Sequence, residues 1–159
     1  MLDLGRTFLQ AVERDPGSLA IVDGSKRYTY GEWALHIGAI QQFFNEKGLK
    51  SGDRILTILQ NRYEAATIHW ACQMAGIAIV PLNWRSKPDE IDYCAQNADV
   101  KLAFVEEISL NNYLESETSK SISVILCMEK ASLDGYQYFD QLIQKGAEPE
   151  ARGHVEDIS

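Results

Sequence analysis

The sequence lacks the short motifs that most often mark a nucleotide site or a nucleophilic active site. It contains neither Gly-x-Gly-x-x-Gly nor Gly-x-x-x-x-Gly-Lys-(Ser/Thr), so it offers no recognisable glycine-rich loop to hold a phosphate. It also contains no Gly-x-Ser-x-Gly turn that would present a nucleophilic serine. From the residues alone, no catalytic residue is predicted.

Cysteine is scarce and scattered. Cys72, Cys94 and Cys127 are odd in number, lie far apart and fall within apolar stretches. This pattern is typical of reduced, structural thiols in a reducing compartment. Neither a Cys-x-x-Cys pair nor a His-x-x-x-His pair is present, so the sequence predicts no metal site.

The three histidines are isolated from one another. The helical pattern places His36 on the solvent side of its helix, and His69 in a helix that is apolar nearly all round. For His69 we favour a hydrogen-bonded core histidine over a functional group. His154 lies near the C-terminus.

Long apolar runs and positive charge are also missing. No apolar run approaches the ~20 residues that a membrane-spanning helix needs, and the N-terminus carries no secretory signal pattern. The net charge of −8 disfavours nucleic-acid binding, which depends on clustered lysine and arginine. We therefore expect a cytoplasmic protein with neither a nucleic-acid partner nor a transmembrane segment.

Apolar strands alternate with helices along residues 1–145, which predicts an α/β fold with a mostly parallel sheet covered by helices on both faces. A small N-terminal helix and a β-hairpin around Asp23-Gly24 precede this sheet. Residues 146–159 show no periodicity and follow an acidic stretch, so we interpret them as a mobile acidic tail. The pattern also predicts a last helix at 136–143.

Capping signals mark where the helices begin. Thr29 and Glu32 match a capping box, in which each side chain bonds the backbone amide of the other residue. Asn61 and Glu64 repeat this spacing before the next helix. Gly48 is placed just after the first of these helices, where a left-handed glycine commonly ends a helix.

Two acidic pairs are candidates for chemistry. Asp89-Glu90 falls in the first turn of a predicted helix, where the helix dipole favours acids, and this explanation suffices. Glu106-Glu107 follows a predicted strand, at the end where open α/β sheets bind ligands. Solvated surface is nevertheless the favoured interpretation for Glu106-Glu107.

Four motifs occur in the order and spacing found in one enzyme family. They are Tyr28-Thr29-Tyr30-Gly31-Glu32-Trp33, Gly48-Leu49-Lys50-Ser51-Gly52-Asp53-Arg54, Leu59-Gln60-Asn61, and Ala75-Gly76 through Leu82-Asn83. Together they resemble the N-terminal part of the adenylate-forming acyl-CoA synthetases, including the medium- and long-chain fatty-acid–CoA ligases. The resemblance covers about two thirds of the chain, and most of the matching residues are caps, turns and a buried strand.

The resemblance implies a reaction and its cofactors. Such enzymes join a carboxylic acid to CoA through an acyl-adenylate, with ATP and Mg²⁺ as the activating reagents. The family's phosphate loop, a Gly/Ser/Thr-rich run ending in Pro-Lys, does not occur in these 159 residues. The resemblance therefore implies a truncated N-terminal piece that is inactive alone, binds the cofactors poorly, and self-associates through apolar surface exposed by truncation.

One ligand contact is implied as well. Asn83-Trp84-Arg85 stands where the family has Asn-x-Arg, and that arginine reaches a phosphate of CoA in some members. Arg85 is therefore the one candidate cofactor-binding residue; an exposed arginine in a turn is the alternative. The following residues depart from the family pattern, and Ser86 is expected to cap the next helix in place of the usual threonine.

Two other functions remain open. The same motifs occur in the adenylation domains of peptide-synthetase-like proteins, whose distinguishing residues lie further along the chain. A stand-alone, non-enzymatic α/β binding domain is the third possibility.

Overall fold

The computed structural model describes residues 4–128 and 133–151. Its helices are α1 (Leu4–Arg14), α2 (Tyr30–Glu46), α3 (Tyr63–Ala75), α4 (Pro88–Ala98), α5 (Glu107–Glu115) and α6 (Phe139–Ile143), with a 3₁₀ helix at Thr118–Lys120. Its strands are β1 (Leu19–Asp23), β2 (Lys26–Thr29), β3 (Arg54–Ile58), β4 (Ala78–Leu82), β5 (Leu102–Glu106), β6 (Val124–Cys127) and β7 (Gln137–Tyr138).

The chain divides into two units. The first contains α1, the antiparallel hairpin β1–β2, α2, α3 and the residues from Leu142 onward. The second contains the parallel sheet together with α4 and α5. Every helix in the described part of the chain is too short or too polar to cross a membrane.

The capping box at the start of α2 is confirmed. The Glu32 amide donates to the Thr29 hydroxyl at 3.2 Å, and the Glu32 carboxylate accepts from the Thr29 amide at 2.8 Å. Behind this cap, α2 buries an apolar stripe at helical spacing, which comprises Trp33, Ile37, Ile40 and Phe44. Lys47 is the C-cap, and Gly48 follows it with a φ of 73°.

The start of α3 differs from the sequence prediction. Arg62, not Asn61, occupies the N-cap position, and its side chain makes no capping bond. The carboxylate of Asp23, in the hairpin, instead accepts from the first helical amide, that of Tyr63, at 2.8 Å. An acceptor from a distant strand thus takes the place of the local cap, because it satisfies one of the same unpaired amides.

The sheet of the second unit runs β4-β3-β5-β6-β7, with every pair parallel. On one face, α4 and α5 complete a buried core. That core comprises Leu56, Ile58, Ile91, Ala95, Val100, Ala103, Val105, Leu110, Tyr113, Leu126 and Tyr138. Ile55, Phe104 and Ile125, which alternate along β3, β5 and β6 with residues of that core, are buried too. This confirms the predicted α/β class with its parallel sheet, N-terminal helix and hairpin.

The predicted helix at 136–143 is partly wrong. Gln137 and Tyr138 form β7, and only Phe139–Ile143 is helical. Tyr138 pairs with Leu126 of β6, and its hydroxyl donates to the Leu133 carbonyl at 3.1 Å. These partners are distant in sequence or lie in a loop, so local periodicity did not reveal them.

The segment predicted as a mobile tail, 146–159, begins with hydrogen bonds to α2. The Ala147 amide donates to the Leu35 carbonyl at 3.0 Å, and Glu150 is hydrogen-bonded to the side chain of Gln41. Residues 152–159 lie outside the described residues.

Candidate functional site

The strand order of the second unit marks one edge of its sheet. The chain passes from β3 to β4 on one side, and then from β4 to β5 on the opposite side of β3. The order therefore reverses between β3 and β5. Open α/β sheets bind ligands beyond the carboxyl ends of their strands at such a reversal. The residues that follow β3, β4 and β5 form the candidate site.

The turn after β4 is held by its own asparagine. The Asn83 side-chain carbonyl accepts from the Arg85 amide at 2.9 Å, and its backbone carbonyl accepts from the Ser86 amide at 2.9 Å. Asparagine favours this arrangement because its side chain imitates a backbone turn. The turn places Arg85 at the carboxyl end of β4, as the sequence suggested.

Arg85 is exposed, and its guanidinium carbon lies 3.7 Å from the centre of the Trp84 ring. A cation over an indole face is attracted by the ring's electron density, and this contact restricts the long side chain. A guanidinium keeps its charge at any physiological pH and binds phosphate through two N–H groups. The turn thus presents a partly ordered cation with N–H donors to solvent.

The far side of the turn is anchored to the second unit's helices. Ser86 is buried, and its carbonyl accepts from the Asn112 side chain of α5 at 3.0 Å. Ser86 does not cap α4, contrary to the sequence expectation. Lys87 is the N-cap, and its amide donates to the Glu90 carboxylate at 2.8 Å. The reach-back from Glu90 therefore replaces a serine cap.

Glu106 was expected to be solvated, and this expectation is wrong. The residue is 4% exposed, and its carboxylate accepts from the backbone amide of Gln60, just beyond β3. Glu107 is exposed. Glu106 thus joins the ends of β3 and β5 at the reversal of strand order, and the sequence pattern gave no sign of this long-range contact.

Ser109 reinforces the same junction. Its hydroxyl lies 2.7 Å from the carbonyl of Ile58 and 3.1 Å from the carbonyl of Glu106, and the residue is fully buried. Glu106 and Ser109 together bond backbone groups at the carboxyl end of β3 and just beyond it. They fix the chain as it leaves β3.

A shallow depression of about 350 Å³ adjoins the Arg85 turn at the start of α4. Its lining residues are Leu82, Ser86, Asp89, Glu90, Tyr93 and Cys94. Asp89 and Glu90 lie in the first turn of α4, as predicted. Their negative charge disfavours a bare anion in the depression itself, whereas the cations Arg85 and Lys87 lie in the turn that precedes α4.

The histidines lie elsewhere than predicted. His36 is half-buried in the first unit, where its Nδ1 is hydrogen-bonded to the Tyr63 hydroxyl and its ring meets Tyr28 edge-on. His69 is exposed and not in the core. His154 lies outside the described residues. The error for His69 arose because α3 is apolar on most faces but not on all.

A buried ion cluster in the first unit was also missed. Glu64 is 2% exposed, and its carboxylate lies 2.5 Å from the Lys26 ammonium and 2.6 Å from the Arg62 guanidinium. Burial opposes the charged form, but the hydrogen bonds from Arg62 and Lys26 outweigh burial and hold the pKa of Glu64 below its usual value. The cluster joins the hairpin to the start of α3.

The cysteines and the potential metal ligands form no further site in the described ranges. Cys72, Cys94 and Cys127 form no disulfide, and burial raises the pKa of the Cys72 thiol. Within residues 4–128 and 133–151, no group of three or more histidine, cysteine or acidic side chains is arranged to hold a metal ion.

Comparison with known proteins places this arrangement in a family. The profile of the family described as AMP-binding enzyme matches residues 8–158. The 4-hydroxybutyrate–CoA ligase 2 of Metallosphaera sedula is 29% identical over 107 residues, which are 67% of this chain and 20% of that protein. A medium/long-chain-fatty-acid–CoA/3-oxocholest-4-en-26-oate–CoA ligase of Mycolicibacterium smegmatis is 25% identical over 131 residues, which are 81% of this chain and 24% of that protein.

Among solved structures, a benzoate CoA ligase from Burkholderia xenovorans LB400 has a similar fold. The TM-score is 0.83 at 17% identity, and the match covers 97% of this chain and 31% of that one. The chain thus spans about a fifth to a third of the length of these three proteins. The resemblance seen in the sequence motifs is confirmed. Since the profile covers nearly the whole chain, the protein belongs to the AMP-binding enzyme family.

Proposed function

We propose that this chain contributes to an ATP-dependent carboxylic acid–CoA ligase. Membership of the AMP-binding enzyme family supports the adenylate-forming reaction class, and the CoA ligases among its relatives support CoA as the acceptor. In that reaction the acid displaces pyrophosphate from ATP and forms an acyl-adenylate. The CoA thiol then attacks the acyl carbonyl, and AMP leaves.

Within this function, Arg85 contacts a phosphate of CoA. One observation carries this assignment: the guanidinium is exposed at the carboxyl end of β4 and is stacked on Trp84. The Asn83 turn and the anchored Ser86 hold the backbone on both sides of it. The residue present therefore fits a phosphate group of CoA.

ATP would supply pyrophosphate as the leaving group, and Mg²⁺ would neutralise part of the phosphate charge. The described residues offer no ligand cluster for the metal, and the 159 residues contain no glycine-rich phosphate loop. We therefore assign no step with ATP to residues of this chain, and propose that the 159 residues alone form no adenylate. The thiols of Cys72 and Cys127 are buried and form no disulfide, which suits a reducing cytoplasm.

Titration with CoA tests the Arg85 assignment. We expect weak binding, on the order of millimolar, because one exposed guanidinium contributes little in high dielectric. Amide NMR should show shifts confined to residues 83–86, and these shifts should fade as salt screens the contact. Arg85→Gln should remove these amide shifts. Titration with 3′-dephospho-CoA shows whether the 3′-phosphate is the bound group, because the shifts are then lost with that ligand.

Arg27 provides a matched control. It is an exposed arginine on β2 of the first unit and is not one of the residues of the candidate site, so Arg27→Gln should leave CoA binding unchanged. Equal loss in both variants would mean that CoA binds by charge alone. CoA shifts unaffected by Arg85→Gln would remove Arg85 from the proposal without touching the family assignment.

The alternatives are separated by the codons that follow Ser159. A Gly/Ser/Thr-rich run ending in Pro-Lys would support adenylate formation by the encoded protein, and pyrophosphate release with CoA or with a carrier protein would then separate the ligase from a peptide-synthetase-like domain. An immediate stop codon would favour the stand-alone binding domain.

A further inference from the structure

A segment without regular secondary structure contacts α2 in the first unit. We call residues 146–150 the strap. The Ala147 amide donates to the Leu35 carbonyl at 3.0 Å. The side-chain amide of Gln41 pairs with the backbone of Glu150 in both directions, at 2.7 Å to its carbonyl and 3.0 Å from its amide. α2 therefore holds the strap by hydrogen bonds to the backbone of the strap, from one helix carbonyl and one side-chain amide.

Gly38 lets the strap approach closely. Leu35, Gly38 and Gln41 are spaced three residues apart and so share one face of α2. A Cβ built at Gly38 would lie 1.8 Å from the carbonyl oxygen of Ala147, closer than any real contact allows. This glycine sits inside a helix, where it costs stability relative to alanine, and the strap contact accounts for its presence.

The strap begins at a glycine with a left-handed backbone. Gly146 has a φ of 59°, and its amide donates to the Ile143 carbonyl at 3.1 Å. A Cβ at Gly146 would approach the Leu35 side chain to 3.3 Å. The strap thus leaves the preceding turn through a residue that adopts other backbone conformations at little cost.

The strap is held mainly by these polar contacts. Every one of its residues is at least partly exposed. A cavity of about 480 Å³ lies beside it, lined by α2 and by Ala147, Glu148 and Glu150. Segments with few buried apolar contacts and exposed backbone hydrogen bonds open at a small fraction of the global unfolding free energy.

We propose that the strap is a releasable element, which docks on the Leu35–Gly38–Gln41 groove and leaves it while α2 stays folded. The groove binds peptide backbone through hydrogen bonds, and residues 146–150 are its occupant. Docking determines where the chain at position 151 is held. This proposal is independent of the ligase function, since it concerns only contacts in the first unit.

Hydrogen exchange of the full 159-residue chain tests the proposal. The amides of Ala147 and Glu150 should exchange at least about tenfold more slowly than in a free peptide, yet at least about 100-fold faster than the buried amide of Ile40. Exchange as slow as that of Ile40 would overturn release, and exchange at the free-peptide rate would overturn docking.

Two variants separate the strap from general stability. Gln41→Leu should bring the Glu150 amide to the free-peptide rate and leave Ile40 protected. Gln42→Leu is the matched control, because Gln42 donates to Glu46 within α2, and it should leave both strap amides unchanged.

Gly38→Ala should affect α2 and the strap in opposite directions. Alanine normally strengthens a helix interior, so α2 should stay protected or gain protection while the strap amides reach the free-peptide rate. Unchanged strap amides in Gly38→Ala would overturn the proposal. Global unfolding of Gly38→Ala together with loss of Ile40 protection in Gln41→Leu would show that the strap is integral to the fold, which also overturns it.

Discussion

The buried carboxylate of Glu106 accepts a hydrogen bond from the backbone amide of Gln60, 46 positions earlier in the chain. The contact closes the end of the sheet where the strand order reverses. Glu106 is buried whereas Gln60 is exposed, so water reaches the Gln60 amide once the carboxylate is removed, and only the net contribution of the hydrogen bond is lost.

Glu106→Ala should therefore destabilise the protein by about 0.5–1.5 kcal/mol, and Glu106→Gln by less, since its amide oxygen still accepts. Urea unfolding measures both. Glu115→Ala, at the exposed end of α5, is the control and should stay within about 0.5 kcal/mol of the wild type. Equal stability of the Ala and Gln variants would contradict the role of the hydrogen bond.

The Glu64 cluster predicts how stability depends on pH. The pKa of Glu64 is lower in the folded protein than its ordinary value of 4.5. The ionised carboxylate therefore stabilises the fold fully above pH 4.5, and this stabilisation is lost as the pH falls through the pKa of the folded state. Glu64→Gln should cost about 1.5–3 kcal/mol at neutral pH and flatten the acid side of the stability profile. Urea unfolding across this range measures it, with Glu13→Gln on the exposed side of α1 as the control. A profile unchanged by Glu64→Gln would contradict the assignment.

Trp33 and Thr67 join α2 to α3. The indole nitrogen donates to the Thr67 hydroxyl at 2.9 Å, and that hydroxyl donates to the Tyr63 carbonyl at 2.9 Å. Thr67→Val should cost about 1–3 kcal/mol because it leaves the buried indole N–H unpaired. Thr67→Ser should cost less.

A double-mutant cycle with Trp33→Phe isolates this bond. The cost of Thr67→Val should shrink in the Trp33→Phe background, where no indole N–H remains. Additive costs in thermal or urea unfolding would mean that the hydroxyl acts only through packing.

Gly76 ends α3 with a φ of 68°, and a Cβ there would lie 2.5 Å from the Ser51 hydroxyl. Gly76→Ala should therefore cost more than the roughly 1–2 kcal/mol of a left-handed alanine. Gly24→Ala carries the backbone penalty alone, since a Cβ at Gly24, where φ is 58°, meets nothing within 4 Å. Unfolding free energies of the two variants should differ, and equal values would exclude a steric role for Ser51.

Self-association is the last prediction. Tyr93 is 70% exposed on α4, and Ile108 is 53% exposed on α5. If exposed apolar surface drives association, the weight-average molecular mass measured by sedimentation should rise with protein concentration. Tyr93→Gln should make this rise smaller. A monomer at all concentrations would contradict this expectation.

Local signals predicted much of the fold. The hairpin around Asp23-Gly24 and the Thr29–Glu32 capping box were found because each depends on residues a few positions apart. Glu106 shows why the rest was missed. Its burial depends on β3 lying beside β5, and a strand order cannot be derived from alternating strands and helices. The Arg85 turn was predicted from a motif. The stacking of the Arg85 side chain on Trp84 depends on side-chain conformations that the motif does not specify.

The hydrogen bond from the Tyr63 amide to the Asp23 carboxylate links the start of α3 to the hairpin, two elements far apart in the sequence. Because α3 takes its first acceptor from the hairpin, opening the hairpin leaves the first turn of α3 without a cap and separates Lys26 from Glu64. The hairpin and the start of α3 therefore form one cooperative unit of folding. Their amides should gain and lose protection together, although about 40 residues of chain separate them.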